Sequence, residues 1–208
     1  MKTACWRKFT LPAVLLAAAA GAAAAELKLA ESRDQLTFLN SESWKTGEVM
    51  GRAALILDVP GAQRPPVRRP GEFALLKSEH PVREFTVAAA TLMPEQIKYR
   101  DICLIFGYQD DTHFYYAHVS SYRDEKHNVI MRVEGDQRMR INREADPEPR
   151  LSNDWKTVRV VQSANGFIAV YVDDMETPLL TAQDRTYPAG KIGFGAFDDR
   201  AAFFALSY

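Results

Sequence analysis

The amino-acid sequence predicts an all-β domain, an antiparallel sandwich or barrel, and three observations predict it. Short segments with apolar residues at alternate positions recur along the chain, the period of a strand with a buried face. Turn residues punctuate them: Glu134-Gly135-Asp136, Asn165-Gly166, Asp173-Asp174 and Pro188-Ala189-Gly190, all types that tolerate tight reversals. Helical periodicity is scarce beyond the first residues. About a dozen strands joined without helices favour a sandwich or barrel over a parallel α/β fold.

The N-terminus has the three parts of an export signal. Lys2, Arg7 and Lys8 give a positive start, residues 11–20 an apolar stretch, and Ala23-Ala24-Ala25 small residues for cleavage. The apolar run is shorter than the roughly 20 residues a membrane span needs. Residues 1–25 are therefore expected to be a signal peptide, and residues 26–208 one mature domain in the periplasm or outside the cell, with no membrane span after cleavage. Cys5 leaves with the signal, so Cys103 becomes the one thiol and no intrachain disulfide can form. Its setting, Ile102-Cys103-Leu104-Ile105-Phe106, marks it as a small core residue. A chain that is 47% hydrophobic and 25% charged, with formal net charge −1, gives no electrostatic ground for a nucleic-acid partner.

The expected strands in the first half are 36–39, 53–58, 72–77 and 83–92. Next come 102–108, 114–120, 129–133 and 138–142, then 156–162, 167–172, 191–196 and 202–207. Residues 60–70, with four prolines and three arginines, form a loop between two early strands, because proline cannot donate to a ladder. Residues 146–149 form a second. Asn165-Gly166 predicts a two-residue hairpin turn, since both types accept positive φ. Ile168, Val170 and Val172 then face one way, and Phe167, Ala169 and Tyr171 the other. Gly193 and Gly195 flank Phe194 and admit a close backbone or ring. Trp155, at a strand start, is expected to cap the edge of the core.

The second half also carries a recognisable order of motifs. Tyr115-Tyr116 lies on one strand, followed by Trp155-Lys156-Thr157-Val158-Arg159-Val160. Gly166-Phe167-Ile168-Ala169-Val170-Tyr171-Val172-Asp173 and Gly190-Lys191-Ile192-Gly193-Phe194 come after it. This order resembles the concanavalin A-like, laminin G-like jelly rolls, and is particularly similar to the bacterial 3-keto-disaccharide hydrolase domain. The likeness covers residues 100–208; residues 26–99 match loosely, through Trp44 and the strand at 85–92. The resemblance implies a two-sheet antiparallel jelly-roll sandwich with a carbohydrate or glycan as partner. Two catalytic patterns of related jelly rolls are missing: the Glu-x-Asp-x-x-Glu strand of the laminarinase type and the Gln-(Ile/Val)-His strand of the alginate-lyase type. No cofactor is expected. A structural calcium of the kind related sandwiches hold would rest on Asp198-Asp199, but the chain has Phe203-Phe204-Ala205-Leu206 where such a family carries an Asp.

Chemistry-bearing residues concentrate in one stretch. His113, His118 and His127, three of the four histidines, are interleaved with tyrosines. On an alternating strand Phe114, Tyr116 and His118 share a face, and a reversal at 122–126 brings His118 beside His127. Tyr116, His118, Arg123, His127 and Asn128 are the candidate ligand-binding residues, because rings cover the apolar faces of a sugar and planar polar groups pair its hydroxyls. The competing reading is cross-strand packing, with the histidines at a solvated edge. His118 and His127 lack a third ligand of recognisable spacing, so no metal is expected. Asp110-Asp111, Asp173-Asp174 and Asp198-Asp199 read as turn residues. The functional expectation is an exported, non-catalytic carbohydrate-binding sandwich. The alternatives are a glycoside hydrolase using His118, His127 or Arg123, and a structural envelope module that contacts another protein.

Overall fold

A computed structural model describes residues 25–62, 65–78, 82–144 and 147–208. The expected signal peptide lies outside the described residues apart from Ala25, as do residues 63–64 of the first proline-rich loop and Asp146 of the second. One sheet contains β1 (Glu26–Lys28), β3 (Trp44–Val49), β4 (Arg52–Leu57), β6 (Glu84–Thr91), β11 (Lys156–Gln162), β12 (Phe167–Val172), β13 (Leu180–Gln183) and β15 (Ala201–Ser207). The other contains β2 (Leu36–Phe38), β5 (Glu72–Leu76), β7 (Asp101–Asp110), β8 (His113–Ser120), β9 (Val129–Glu134), β10 (Gln137–Arg140) and β14 (Lys191–Ala196).

Strand order is β13-β12-β11-β6-β15-β4-β3 in the first sheet, with β1 also on β15, and β10-β9-β8-β7-β14-β5-β2 in the second. The pairings within both are antiparallel. This is the two-sheet jelly-roll sandwich the sequence predicts. All the expected strands form; β1, β3 and β13 are additional.

Alternation fills the space between the sheets. Leu104, Phe106, Tyr115, Ala117 and Phe194 from one sheet meet Val87, Val160, Val170 and Phe203 from the other. Ile168, Val170 and Val172 all point into this core, as the period of two requires. Trp44 packs among Phe38, Phe194 and Phe203, with ring centroids 5.5, 5.9 and 5.8 Å away. Its indole N–H donates to Glu72 Oε1 at 3.0 Å, which satisfies the polar end of a buried ring. Trp155 instead sits on the outer side of the first sheet, packed with Phe204 at 6.0 Å.

The β11–β12 hairpin departs from the expected turn. Gly166 N–H donates to the Ser163 carbonyl at 2.9 Å, and within this turn Gly166 alone has positive φ, +86°. Asn165 keeps negative φ and uses its Oδ1 to accept the Phe167 N–H at 3.0 Å. The reversal therefore spans four residues, with glycine supplying the left-handed one. At Gly195 a Cβ would stand 2.1 Å from the Glu72 carbonyl oxygen, so the close approach there is made by backbone.

The outer face of the second sheet is also buried. Phe73, Leu75, Cys103, Ile105, Phe114 and Tyr116 form a separate apolar layer, with Phe197 over them and Val67 packed alongside. Val67 comes from the proline-rich loop between β4 and β5, and buried Arg69 pins that loop. Its guanidinium donates to the Pro65 carbonyl at 2.7 Å and to Asp111 at 2.9 Å. Cover on both sides explains why β8 is buried at nearly every position.

Candidate functional site

Beside this cover is a cavity of about 300 Å³. Asp101 and His118 line it from β7 and β8, Tyr99 from the segment before β7, and Asp124, Lys126 and His127 from the β8–β9 connection. Phe197, Asp198, Arg68 and Arg138 complete the wall. Arg138 Nη1 donates to the Arg68 carbonyl at 3.1 Å, and both guanidiniums lie over the Phe197 ring, at 5.9 and 5.4 Å.

Register sets the floor. Cys103 on β7 pairs opposite His118 on β8, and Asp101, two residues before Cys103, shares its face. His118 Nδ1 is 3.0 Å from the Lys126 carbonyl oxygen. A carbonyl can only accept, so Nδ1 carries a proton. Nε2 lies 3.1 Å from Asp101 Oδ2, within ion-pair distance. The His118 ring is 4.9 Å from His127 and 4.8 Å from Phe197. His127 stacks on Tyr99 at 4.9 Å and 17°, and its Nδ1 is 2.7 Å from Asp124 Oδ1.

The electrostatics follow from burial and proximity. Burial pushes the Asp101 carboxyl up, but the His118 imidazole outweighs it and holds Asp101 below the ordinary carboxylate range. Asp199, whose Oδ2 accepts the Asp101 backbone N–H at 2.6 Å, is pushed up to about 7 by burial and then by the Asp101 charge. His127 is lowered, first by burial and then by His118. Burial, with Asp101 and Asp199 adding, raises the Cys103 thiol.

Of the five expected binding residues, the structure brings His118 and His127 together at the cavity. Tyr116 is wholly buried against Phe114 and Phe197, at 6.2 and 5.6 Å, and acts as packing beneath the site. Asn128 is buried with φ +50°; its Oδ1 accepts Ser120 N–H at 3.0 Å and its Nδ2 donates to the Tyr122 carbonyl at 2.8 Å. It shapes the connection that carries His127. Arg123 turns away from the cavity and pairs with Glu148 at 2.5 Å. His113 bonds Asp110 at the opposite end of β8.

Asp110 and Asp174 accept backbone N–H groups within their own turns, as expected, and Asp173 accepts the Thr157 N–H of β11. Asp199 is instead a buried partner of β7. Sequence reasoning missed Asp101, Tyr99, Phe197, Lys126 and Arg138. For Asp101 a signal existed, since counting in twos along β7 puts it on the face of Cys103 and Ile105.

No known family model matches the chain, and no curated protein matches it. Solved structures do. The carbohydrate-binding module CBM66 from Bacillus subtilis is 16% identical with a TM-score of 0.58, covering 82% of this chain and 92% of that one. The chain shares its fold. The carbohydrate recognition domain of Emp46p, in a potassium-bound form, is 11% identical with a TM-score of 0.54, covering 87% of this chain and 91% of that one. The GH43 protein BlXynB from Bacillus licheniformis is 9% identical with a TM-score of 0.56, covering 83% of this chain but 36% of that one. These likenesses establish the concanavalin A-like jelly roll and reach no finer family. No helix among the described residues is long and apolar enough to cross a membrane.

Proposed function

We propose that this chain is an exported, non-catalytic carbohydrate-binding sandwich of the periplasm or cell exterior, with its glycan seated in the cavity between Tyr99 and Phe197. One observation carries the reading: aromatic surface and convergent hydrogen-bonding groups occur together there. Tyr99 is 41% exposed and offers a face to the C–H groups of a sugar, while His127, Asp124, Lys126 and Arg138 supply donors and acceptors for hydroxyls. The volume of about 300 Å³ suits one sugar ring or a chain end and lies at the small end of ligand sites. A second cavity of about 320 Å³, near Glu144, Arg150 and Leu179, has no aromatic ring in its lining. The neighbours that share the fold include proteins titled carbohydrate-binding module and carbohydrate recognition domain, which supports the substrate class. Calorimetric titration against a glycan panel tests it. Binding should weaken about tenfold in Tyr99→Ala through lost stacking, with melting little changed, and no binding to any glycan would overturn the reading.

Hydrolysis of 3-keto-disaccharides or related glycans is the second reading. It is favoured by Asp101, which lines the cavity, and by Asp199, whose carboxylate accepts the Asp101 backbone N–H; their environments drive the two acidities in opposite directions, the split that an acid and base pair requires. Incubation with 3-keto-glycosides decides it. Release of sugar that disappears in Asp101→Asn supports hydrolysis; no release leaves binding alone.

A further inference from the structure

The geometry points to a binding site for a thiophilic divalent metal ion, of the Zn²⁺ class, formed by Asp101, Cys103 and His118 at the floor of the cavity. A carboxylate oxygen, the thiol sulfur and an imidazole nitrogen lie within 4.8 Å of one another, and all three residues are buried. The fold fixes this juxtaposition. Asp101 and Cys103 are two apart on β7 and share a face, and Cys103 stands opposite His118 in the ladder.

His118 is oriented as a ligand. Its Nδ1–H is committed to the Lys126 carbonyl at 3.0 Å, the backbone contact that fixes the tautomer of metal-binding histidines and leaves Nε2 as the coordinating atom. That Nε2, on a residue 5% exposed, stands 3.1 Å from Asp101 Oδ2, and Asp101 Oδ1 is buried with no hydrogen-bond partner among the described residues. Two ligand atoms on one Zn²⁺, each at about 2.0–2.1 Å in tetrahedral geometry, stand about 3.3 Å apart and aim at a third point between them. The 3.1 Å separation of Nε2 and Asp101 Oδ2 matches that spacing.

The donor set selects the metal. Thiolate with imidazole favours Zn²⁺ and its neighbours over Ca²⁺ and Mg²⁺, which take oxygen ligands. The site is thus distinct in kind from a calcium at Asp198-Asp199. Asp101 and His118 line the cavity, so a bound ion has a coordination position toward it. Binding converts the Cys103 thiol to thiolate and releases its proton to solvent. The inference goes beyond the glycan reading and is tested without any sugar.

The test uses the full chain carrying Cys5→Ser, so that Cys103 is its one thiol, stripped of metal and kept reduced without a thiol reagent. Co²⁺ is titrated as a spectroscopic probe, Zn²⁺ as competitor, and Ca²⁺ and Mg²⁺ as controls. The expected result is one Co²⁺ per chain with a thiolate-to-cobalt charge-transfer band, displaced by Zn²⁺, and a Zn²⁺-dependent rise in Tm that Ca²⁺ and Mg²⁺ do not produce. Cys103→Ser should lose the band while keeping its metal-free Tm, with Cys103→Ala in its place if the serine variant unfolds; His118→Ala should lose binding. A chain that gives no band and no Zn²⁺ shift in excess metal overturns the proposal. So does a band that persists in the Cys103 variants, or a stabilisation by Ca²⁺ alone.

Discussion

Tyr115→Phe should destabilise the fold by about 3 kcal/mol at neutral pH. Tyr115 is fully buried on the inward face of β8. Its hydroxyl donates to Asp184 Oδ1 at 2.5 Å and accepts the Tyr187 N–H at 3.0 Å. Asp184 also accepts from Arg132 at 2.6 Å and from the Thr186 N–H at 2.8 Å. These bonds tie β8 and β9 to the segment that crosses from β13 in one sheet to β14 in the other. Phenylalanine keeps the ring and its contacts with Phe106 and Tyr187, at 5.3 and 5.1 Å, and deletes only the hydroxyl. The loss is one hydrogen bond to a carboxylate, about 1.5–3 kcal/mol, plus a buried N–H left without an acceptor, about 1–3 kcal/mol, less some relaxation. At about 2–4 °C per kcal/mol for a chain of this size, Tm should fall by roughly 6–12 °C.

The pH dependence makes this prediction sharper. Burial raises the Asp184 carboxyl, but hydrogen bonds from Tyr115 and Thr186, with Arg132, outweigh it, so the folded value lies below 3.8. A depressed carboxylate contributes stability above its unfolded value, and this is lost as pH falls through the folded one. Removing the Tyr115 hydroxyl weakens the depression, so the penalty should be largest at neutral pH and shrink as the pH falls through and below the ordinary carboxylate range. Urea unfolding of both proteins at neutral pH and below that range measures it. A penalty under about 1 kcal/mol at neutral pH, or one that does not change with pH, refutes the reasoning.

Three other perturbations test the remaining structural claims. Asn128→Ala loses two buried hydrogen bonds and must still adopt positive φ, for a cost of about 2–4 kcal/mol, whereas Asn128→Gly spares the backbone and should cost less; equal losses in thermal unfolding would remove the backbone part of the argument. Gly195→Ala sets a methyl 2.1 Å from the Glu72 carbonyl and should cost about 3 kcal/mol or prevent folding, so a variant with unchanged Tm contradicts the described β5–β14 packing. Tyr116→Ala should leave a void costing about 3–5 kcal/mol, while Tyr99→Ala on the exposed rim loses ring contacts to His127 and Tyr122 and should cost about 1 kcal/mol; the reverse order in chemical denaturation would overturn the assignment of one as packing and the other as surface.

The strands were legible where burial leaves an alternating apolar record. In β12, Ile168, Val170 and Val172 announce their shared face from sequence alone. In β3 only Trp44 among six residues is buried, so no periodicity exists to read. The Asn165-Gly166 pair announces a reversal, but the turn type depends on the hydrogen bond between Ser163 and Gly166 and on the Arg185 side chain beside Gly166, neither of which the dipeptide encodes. Arg123 and Asn128 show the same limit. Both flank a reversal, and residue type alone does not tell which side chain the bend turns outward to Glu148 and which it folds under to hold the backbone.

The site itself divides along the same line. The meeting of His118 and His127 needs only alternation and a short connection, and both are local. The pairing of Asp101 with Asp199 spans 98 positions and depends on the strand order of the whole sheet. Yet one part of the floor has a readable cause. On the outer face of β7 the series runs Asp101, Cys103, Ile105; on that of β8 it runs Phe114, Tyr116, His118. Because the strands are antiparallel, the polar start of the first series lies beside the polar end of the second. A charged group at the end of an otherwise apolar ladder must meet a partner, or its burial costs several kcal/mol. In an antiparallel hairpin that partner is supplied by the neighbouring strand at the same end. The pair at the cavity floor follows from two apolar ladders that turn polar at the same end, Asp101 on one strand and His118 with Ser120 on the other, which the reversal between them brings together.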